Sequence, residues 1–315
     1  MEPEVQNPTA VKRDPERGLR NNTRIIAGVV VLLVVLFAGA TAAAIRYYPP
    51  ATAAWSASTL PSEIRNALFI ARASSEAKIY TATAHSYVSD SAQQGKYVVY
   101  AAPKNDALFV MVDPATQVYR IELDSKVLLT SKDPIATAAL SPNRKGVVYA
   151  KQMEGKVGSR DASDWEVVLF FTATGKSAVV SPGFAPFFID DSRIARFTNA
   201  GIYSIDITTA TQTELLKQEF KQVLPSFSQS PDHTLIAWSD PIAKATLVYR
   251  VDSTLTRVMS FDGFVPLFAL SDSALYRLQL TTKGTNIYKY TLDSADSASM
   301  IHTVPASLQV SALSL

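Results

Sequence analysis

A proline or aspartate corner recurs along this chain at near-constant spacing, and that period constrains the fold more than any other feature. Pro61, Pro103, Pro142, Asp191, Pro231 and Asp272 stand 42, 39, 49, 40 and 41 residues apart. The stretches around them align, from Leu60-Pro-Ser-Glu-Ile-Arg-Asn-Ala-Leu-Phe to Ala139-Leu-Ser-Pro-Asn-Arg-Lys-Gly-Val-Val-Tyr and Phe227-Ser-Gln-Ser-Pro-Asp-His-Thr-Leu-Ile-Ala-Trp. A second marker keeps step: Pro186, Pro225 and Pro266, each beside phenylalanine or leucine, lie 39 and 41 residues apart. Units of roughly 40–45 residues with four short strands each are propeller blades, which bury their faces only by stacking on neighbours.

Within each unit, short runs rich in Val, Ile, Tyr, Phe and Thr alternate with polar residues and end at Asp, Ser, Gly or Pro, so the region is all-β. In the unit 225–263 the pattern places strands at Ser226–Gln229, Leu235–Ser239, Thr246–Asp252 and Arg257–Phe261. Proline presets φ at the corner, while Ser, Asp and Asn bond back to the backbone. The first unit has strands at 67–72, 78–83 and 87–89 but a poor inner strand, whereas 308–314 looks like an inner strand with nothing after it. The expectation is a six-bladed β-propeller of four-stranded antiparallel blades. Its C-terminal strand closes the first blade and so removes an open sheet edge.

The corners Ser230-Pro-Asp-His-Thr-Leu-Ile-Ala-Trp and Ser141-Pro-Asn-Arg-Lys-Gly-Val-Val-Tyr resemble the "SPDGKxIAY/F" corner of TolB-like and WD40-like bacterial β-propellers. The resemblance covers residues 60–315 and implies a fold, because that corner is structural. The Gly-His and Trp-Asp marks of true WD40 blades are missing, and Asp191 and Asp272 stand where the pattern has proline.

Ahead of the repeats, residues 25–45 form 21 consecutive positions without a charge. As a helix they would span about 32 Å, close to the ~30 Å hydrocarbon core of a bilayer. Lys12, Arg13, Arg17, Arg20 and Arg24 precede the run and Arg46 follows it, which orients the N-terminus to the cytoplasm. The sequence thus predicts a disordered cytoplasmic tail (1–24), one transmembrane helix (25–45), a linker (46–59) and an extracytoplasmic propeller (60–315), single-pass in the plasma (inner) membrane. The competing reading is a cleaved signal peptide at Ala40-Thr41-Ala42 or Ala42-Ala43-Ala44, against which stand the long leader and the long apolar run. Beyond residue 46 there are 24 basic and 24 acidic residues, so no basic field exists to attract nucleic acid. With no cysteine there is no disulfide, thiol nucleophile or thiolate metal site.

Signals for catalysis are sparse. His85, His233 and His302 are far apart, no HExxH, G-x-S-x-G, GxGxxG or P-loop is present, and the sequence calls for no metal or cofactor. Asp190 with Asp191, Asp161 with Asp164, and Asp293 with Asp296 could be drawn as glycosidase pairs, but each falls at a strand-end turn where Asp is common.

The 142-to-191 unit is about nine residues longer than its neighbours, and the surplus falls in 152–165. That loop joins the second and third strands, on the face that carries the blade-to-blade crossings near Phe184, Phe220 and Phe264. Recognition residues collect on such loops, and Arg160, Asp161, Asp164 and Trp165 are suited to an interaction surface. The alternative is a lengthened hairpin loop with Trp165 packed in its strand. Two functions are carried forward: a non-catalytic module that binds a protein, peptide or glycan of the cell envelope, or an envelope glycan hydrolase or lyase with carboxylates at the channel.

Overall fold

The computed structural model describes residues 60–65, 67–72, 77–82, 87–89, 97–220, 226–263, 265, 267–292, 298–308 and 310–315. The tail, apolar run and linker expected over 1–59 lie outside them, as do Phe264, His85, Asp293 and Asp296. Among the described residues no helix is long and apolar enough to cross a membrane. They form six four-stranded antiparallel sheets.

Blade 1 contains β1 (Leu68–Arg72), β2 (Ala77–Ala82) and β3 (Tyr87–Ser89). Blade 2 follows with β4 (Tyr97–Ala101), β5 (Leu108–Val112), β6 (Tyr119–Leu123) and β7 (Lys126–Ser131). Blade 3 is β8 (Ile135–Leu140), β9 (Gly146–Gln152), β10 (Trp165–Phe171) and β11 (Lys176–Pro182). Blade 4 is β12 (Phe184–Phe188), β13 (Arg193–Thr198), β14 (Gly201–Asp206) and β15 (Gln212–Lys217). Blade 5 is β16 (Ser226–Gln229), β17 (Leu235–Asp240), β18 (Ala245–Val251) and β19 (Leu255–Asp262). Blade 6 is β20 (Phe268–Leu270), β21 (Ala274–Thr281), β22 (Gly284–Thr291) and β23 (Ala298–Pro305). The last strand, β24 (Val310–Ser314), returns to pair with β1.

Burial falls from the inner strands outward. Every residue of β12 and β17 is buried, whereas β11 and β15 are largely exposed. Inner and second strands are covered on both faces by adjacent blades, so they read as continuous apolar runs rather than alternating ones. Between blades 3, 4 and 5 the core is a chain of aromatic contacts. Trp165 meets Phe184 edge-on at 5.2 Å, Phe197 meets Phe220 at 5.2 Å, and Trp238 stacks on Tyr249 at 4.6 Å.

The repeated serine corner has a specific role. Ser230 Oγ accepts from Leu235 N at 2.9 Å while Ser230 N donates to Leu235 O, and Ser141 does the same with Gly146. Each serine thereby closes the hairpin between the first two strands of its blade. The two aspartates that replace proline tie corners together. Asp191 Oδ1 accepts from Asn143 N at 2.9 Å, and Asp272 Oδ1 from Asp232 N at 3.2 Å, each from the preceding blade.

Ring closure is as the sequence implies. In β24, Val310 is fully buried and Leu313 is 7 % exposed, with Phe69 opposite Leu313 and Ile70 opposite Ala312. The strand is also fastened sideways: Thr285 Oγ1 donates to Val310 O at 2.8 Å from blade 6, and Ser314 Oγ donates to Ala102 O at 2.7 Å in blade 2.

Candidate functional site

The crossing face is assembled by two backbone links and one between side chains. Gly183 N donates to Trp165 O at 2.9 Å, Phe220 N donates to Asn199 O at 3.0 Å, and Asn199 Nδ2 donates to Asp161 Oδ1 at 2.7 Å. These bonds put the long loop of blade 3, the crossing into blade 4, the 199–200 turn and the crossing toward blade 5 on one side of the ring.

The long loop is internally stapled. Buried Gln152 donates through Nε2 to Ser159 O at 3.0 Å and accepts from Gly158 N at 3.1 Å. Asp161 caps the 3-10 turn Ala162–Asp164 by accepting from Ser163 N. Hydrogen bonds from Ser163 and then Asn199 hold its pKa below the ordinary carboxylate range. Asp164 is held low as well, by Ser159 and Lys156, and pairs with Lys156 Nζ at 3.0 Å. These two acids therefore serve the loop's own shape.

Of the residues expected on an interaction surface, Arg160 is exposed, and Asp161 and Asp164 are partly exposed. Trp165 is packed in its strand, 6 % exposed, with Nε1 donating to Ser159 O at 3.3 Å. Phe184 and Phe220 are buried likewise, and Phe184 also lines the channel cavity. The physical reason is shared: the crossings run directly over the blade interfaces, so their aromatics fill the core instead of facing solvent. Arg160, with the partly exposed edges of Asp161 and Asp164, is what this set presents outward.

Beside the loop lies a cleft of about 320 Å³ lined by Ala162, Ser163, Pro182, Gly183, Arg196, Thr198, Asn199 and Ala200. Arg196 is 4 % exposed, and its Nε and Nη2 donate to Pro182 O at 2.8 Å and Gln212 Oε1 at 3.0 Å. Burial lowers its pKa. Sequence reading missed it, although an arginine inside the apolar run Ile194-Ala-Arg-Phe197 was the available signal.

The channel opens on the same face. A cavity of about 260 Å³ is walled by all six inner strands, with Val99, Phe227, Leu267 and Phe268 as apolar surface and Thr137, Ser226 and Ser228 as hydroxyls. Thr137 Oγ1 is buried there without a partner among the described residues. Among the described residues, no carboxylate lines this cavity. On the same strands, toward the first-to-second-strand corners, a separate small pocket of about 10 Å³ lies among Tyr100, Pro103, Gln229, Leu270 and Leu315. That is room for about one water.

Titratable groups gather at these corners. His233 Nε2 lies 3.1 Å from Asp106 Oδ1, and Asp232 and Asp272 flank the imidazole. Elsewhere the aspartate pairs act at turns: Asp190 receives Ser192 N and Arg193 N at 2.8 Å each and pairs with Arg193. Among the described residues, no group of three or more His, Asp or Glu is arranged to hold a metal.

No family model matches the chain, and no curated protein sequence does. Solved structures with the same fold include TolB from Acinetobacter baumannii, at 11 % identity over 81 % of this chain and 67 % of that one, TM-score 0.54. A putative TolB from Agrobacterium tumefaciens aligns at 10 % identity over 63 % and 78 %, TM-score 0.44. An oligogalacturonate lyase in complex with manganese aligns at 11 % over 72 % and 70 %, TM-score 0.45. At 11 % identity the likeness to the Acinetobacter protein is one of fold. In fold, the chain is a six-bladed, TolB-like β-propeller.

Proposed function

We propose that this chain is a membrane-anchored, extracytoplasmic binding module whose crossing face and channel mouth receive a protein, peptide or glycan of the cell envelope. The cavity walled by all six blades carries the reading. Apolar and hydroxyl side chains from six rigid strands converge on one space of about 260 Å³, the composition of a recognition pocket. The cluster of His233 with Asp106, Asp232 and Asp272 lies at the corners on the other side of the ring, away from this space. Arg160 and the cleft beside Arg196 extend the surface outward from the mouth.

The test is capture of envelope components by the full chain and two variants. Ala136→Phe places a ring in the cavity, and Arg160→Ala removes an exposed charge. Both are expected to melt like the parent. Ala136→Phe should weaken capture by about thirtyfold, the scale of a 2 kcal/mol hot spot. Unchanged capture by a folded Ala136→Phe variant would show that the channel mouth is not the working surface.

A further inference from the structure

We propose that His233 and Asp106 form a titratable tie across the channel, clamping blade 2 to blade 5 while the imidazole holds its second proton and slackening when that proton leaves. The two residues are 127 positions apart and sit on blades that face each other across the ring. Asp106 ends the 3-10 turn Lys104–Asp106 between β4 and β5, and His233 occupies the left-handed position of the β16–β17 corner at φ 63. Other contacts in this ring of corners join neighbours: Asn143 to Asp191, Asp232 to Asp272, and Arg144 Nη2 to Asp124 Oδ2 at 2.9 Å.

The pair is poorly hydrated and has no second support. Its side chains are 15 % and 8 % exposed, and neither Asp106 Oδ2 nor His233 Nδ1 has a partner among the described residues. A carboxylate buried to that degree depends on its partner. Here one contact between opposite blades provides it.

The charged surroundings decide the sign. Facing His233 are Asp106 from blade 2, Asp232 from its own turn and Asp272 from the blade 6 corner. Facing Asp106 are His233 and Tyr100, whose phenol is kept neutral by burial and then by the Asp106 charge. Arg144 of blade 3 donates to the main-chain oxygens of Asn105 and Asp106 but gives its charge to Asp124. Lys104, in the same turn, has its pKa lowered by burial. Burial by itself would lower the His233 pKa, yet the hydrogen bond and the three acids outweigh it and leave it raised. A raised histidine contributes its stability in full below the ordinary value of about 6.5 and loses it as pH climbs through the folded value.

The tie also bears on the cavity, because β4 and β16 supply Tyr100, Ala101 and Ser226 to Ser228 to its walls. The inference stands on the pair itself, whatever ligand the cavity takes.

NMR titration of the full-length chain tests it, since only three imidazoles need assignment, by His85→Gln, His233→Gln and His302→Gln. The expected result is a His233 midpoint above the ordinary value that drops on Asp106→Asn, with His302 unmoved. A wild-type midpoint at or below the ordinary value, or one indifferent to Asp106→Asn, overturns the proposal. Should Asp106→Asn fail to fold, the melting gap between wild type and His233→Gln decides. It should be about 2–4 °C at pH 5.5 and close by pH 8.5. A gap constant with pH overturns the tie.

Discussion

A methyl group at Gly284 would sit 2.0 Å from Val304 O, on backbone at φ +143, and at Gly201 a methyl would sit 2.2 Å from Leu216 O. Both glycines open the third strand of a blade, where the outermost strand crosses too close for any side chain. Gly284→Ala should therefore cost about 2–4 kcal/mol, combining a steric shift with strained backbone, and a denaturant midpoint will show it. Ser230 makes a second local prediction. Its hydroxyl accepts from the buried Leu235 N–H, so Ser230→Ala should cost about 1–3 kcal/mol in the same assay. The contrast within the long loop is sharper still. Trp165→Ala removes a core ring and should cost about 3–5 kcal/mol, whereas exposed Arg160→Ala should stay within about 0.5 kcal/mol. The sequence offers both residues as surface candidates, with a packed Trp165 as the alternative, and the structure bears out that alternative.

At the scale of strands, much of this architecture is legible before any coordinates. The strands expected in 225–263 match β16 to β19 to within a few residues at each end, and 308–314 does return to blade 1. What carries through is the turn chemistry, since Ser-Pro-Asx corners close the first hairpins of blades 3 and 5 and Ser271 closes that of blade 6 in the same way. Three things are not legible, each for a physical reason. Alternation fails in β9 and β17 because a neighbouring blade covers their outer faces. The register shift between the third and fourth strands, at Val167/Val168, Ile202/Tyr203, Val248/Tyr249 and Ile287/Tyr288, falls on a β-branched residue, a residue type too common in strands to mark a bulge. The candidate cavity draws one to three ordinary residues from each of six distant strands, so no local motif announces it. Closure yields the prediction at this scale. Deleting 307–315 removes buried Val310 and Leu313 and bares β1, a loss of about 3–6 kcal/mol from those two side chains alone. An unchanged melting temperature would contradict closure by β24.

For the molecule as a whole, the closed ring explains how a chain without cysteine holds together without covalent cross-links. Every inner strand is covered, and the ring is fastened at three levels: the β24–β1 ladder, the corner aspartates that link neighbours, and the His233–Asp106 contact between opposite blades. A domain with equal numbers of acidic and basic residues beyond position 46 has little drive to associate through a charge field. On the proposed binding role, recognition would fall to the crossing face, and a tether is one way to hold that face near its partner. The charge-free run 25–45, with five basic residues just before it and one after, is read as that tether, with the propeller outside the cytoplasm. The reading makes an opposed pair of outcomes available. A reporter that is active only in the cytoplasm should be silent when fused after Leu315 and active when fused before residue 25. Replacing Arg17, Arg20 and Arg24 with Asn should raise the fraction of molecules in which the C-terminal fusion is active, because the charge asymmetry then nearly vanishes. Activity from the C-terminal fusion in the unaltered chain would reverse the orientation and place the binding face on the cytoplasmic side.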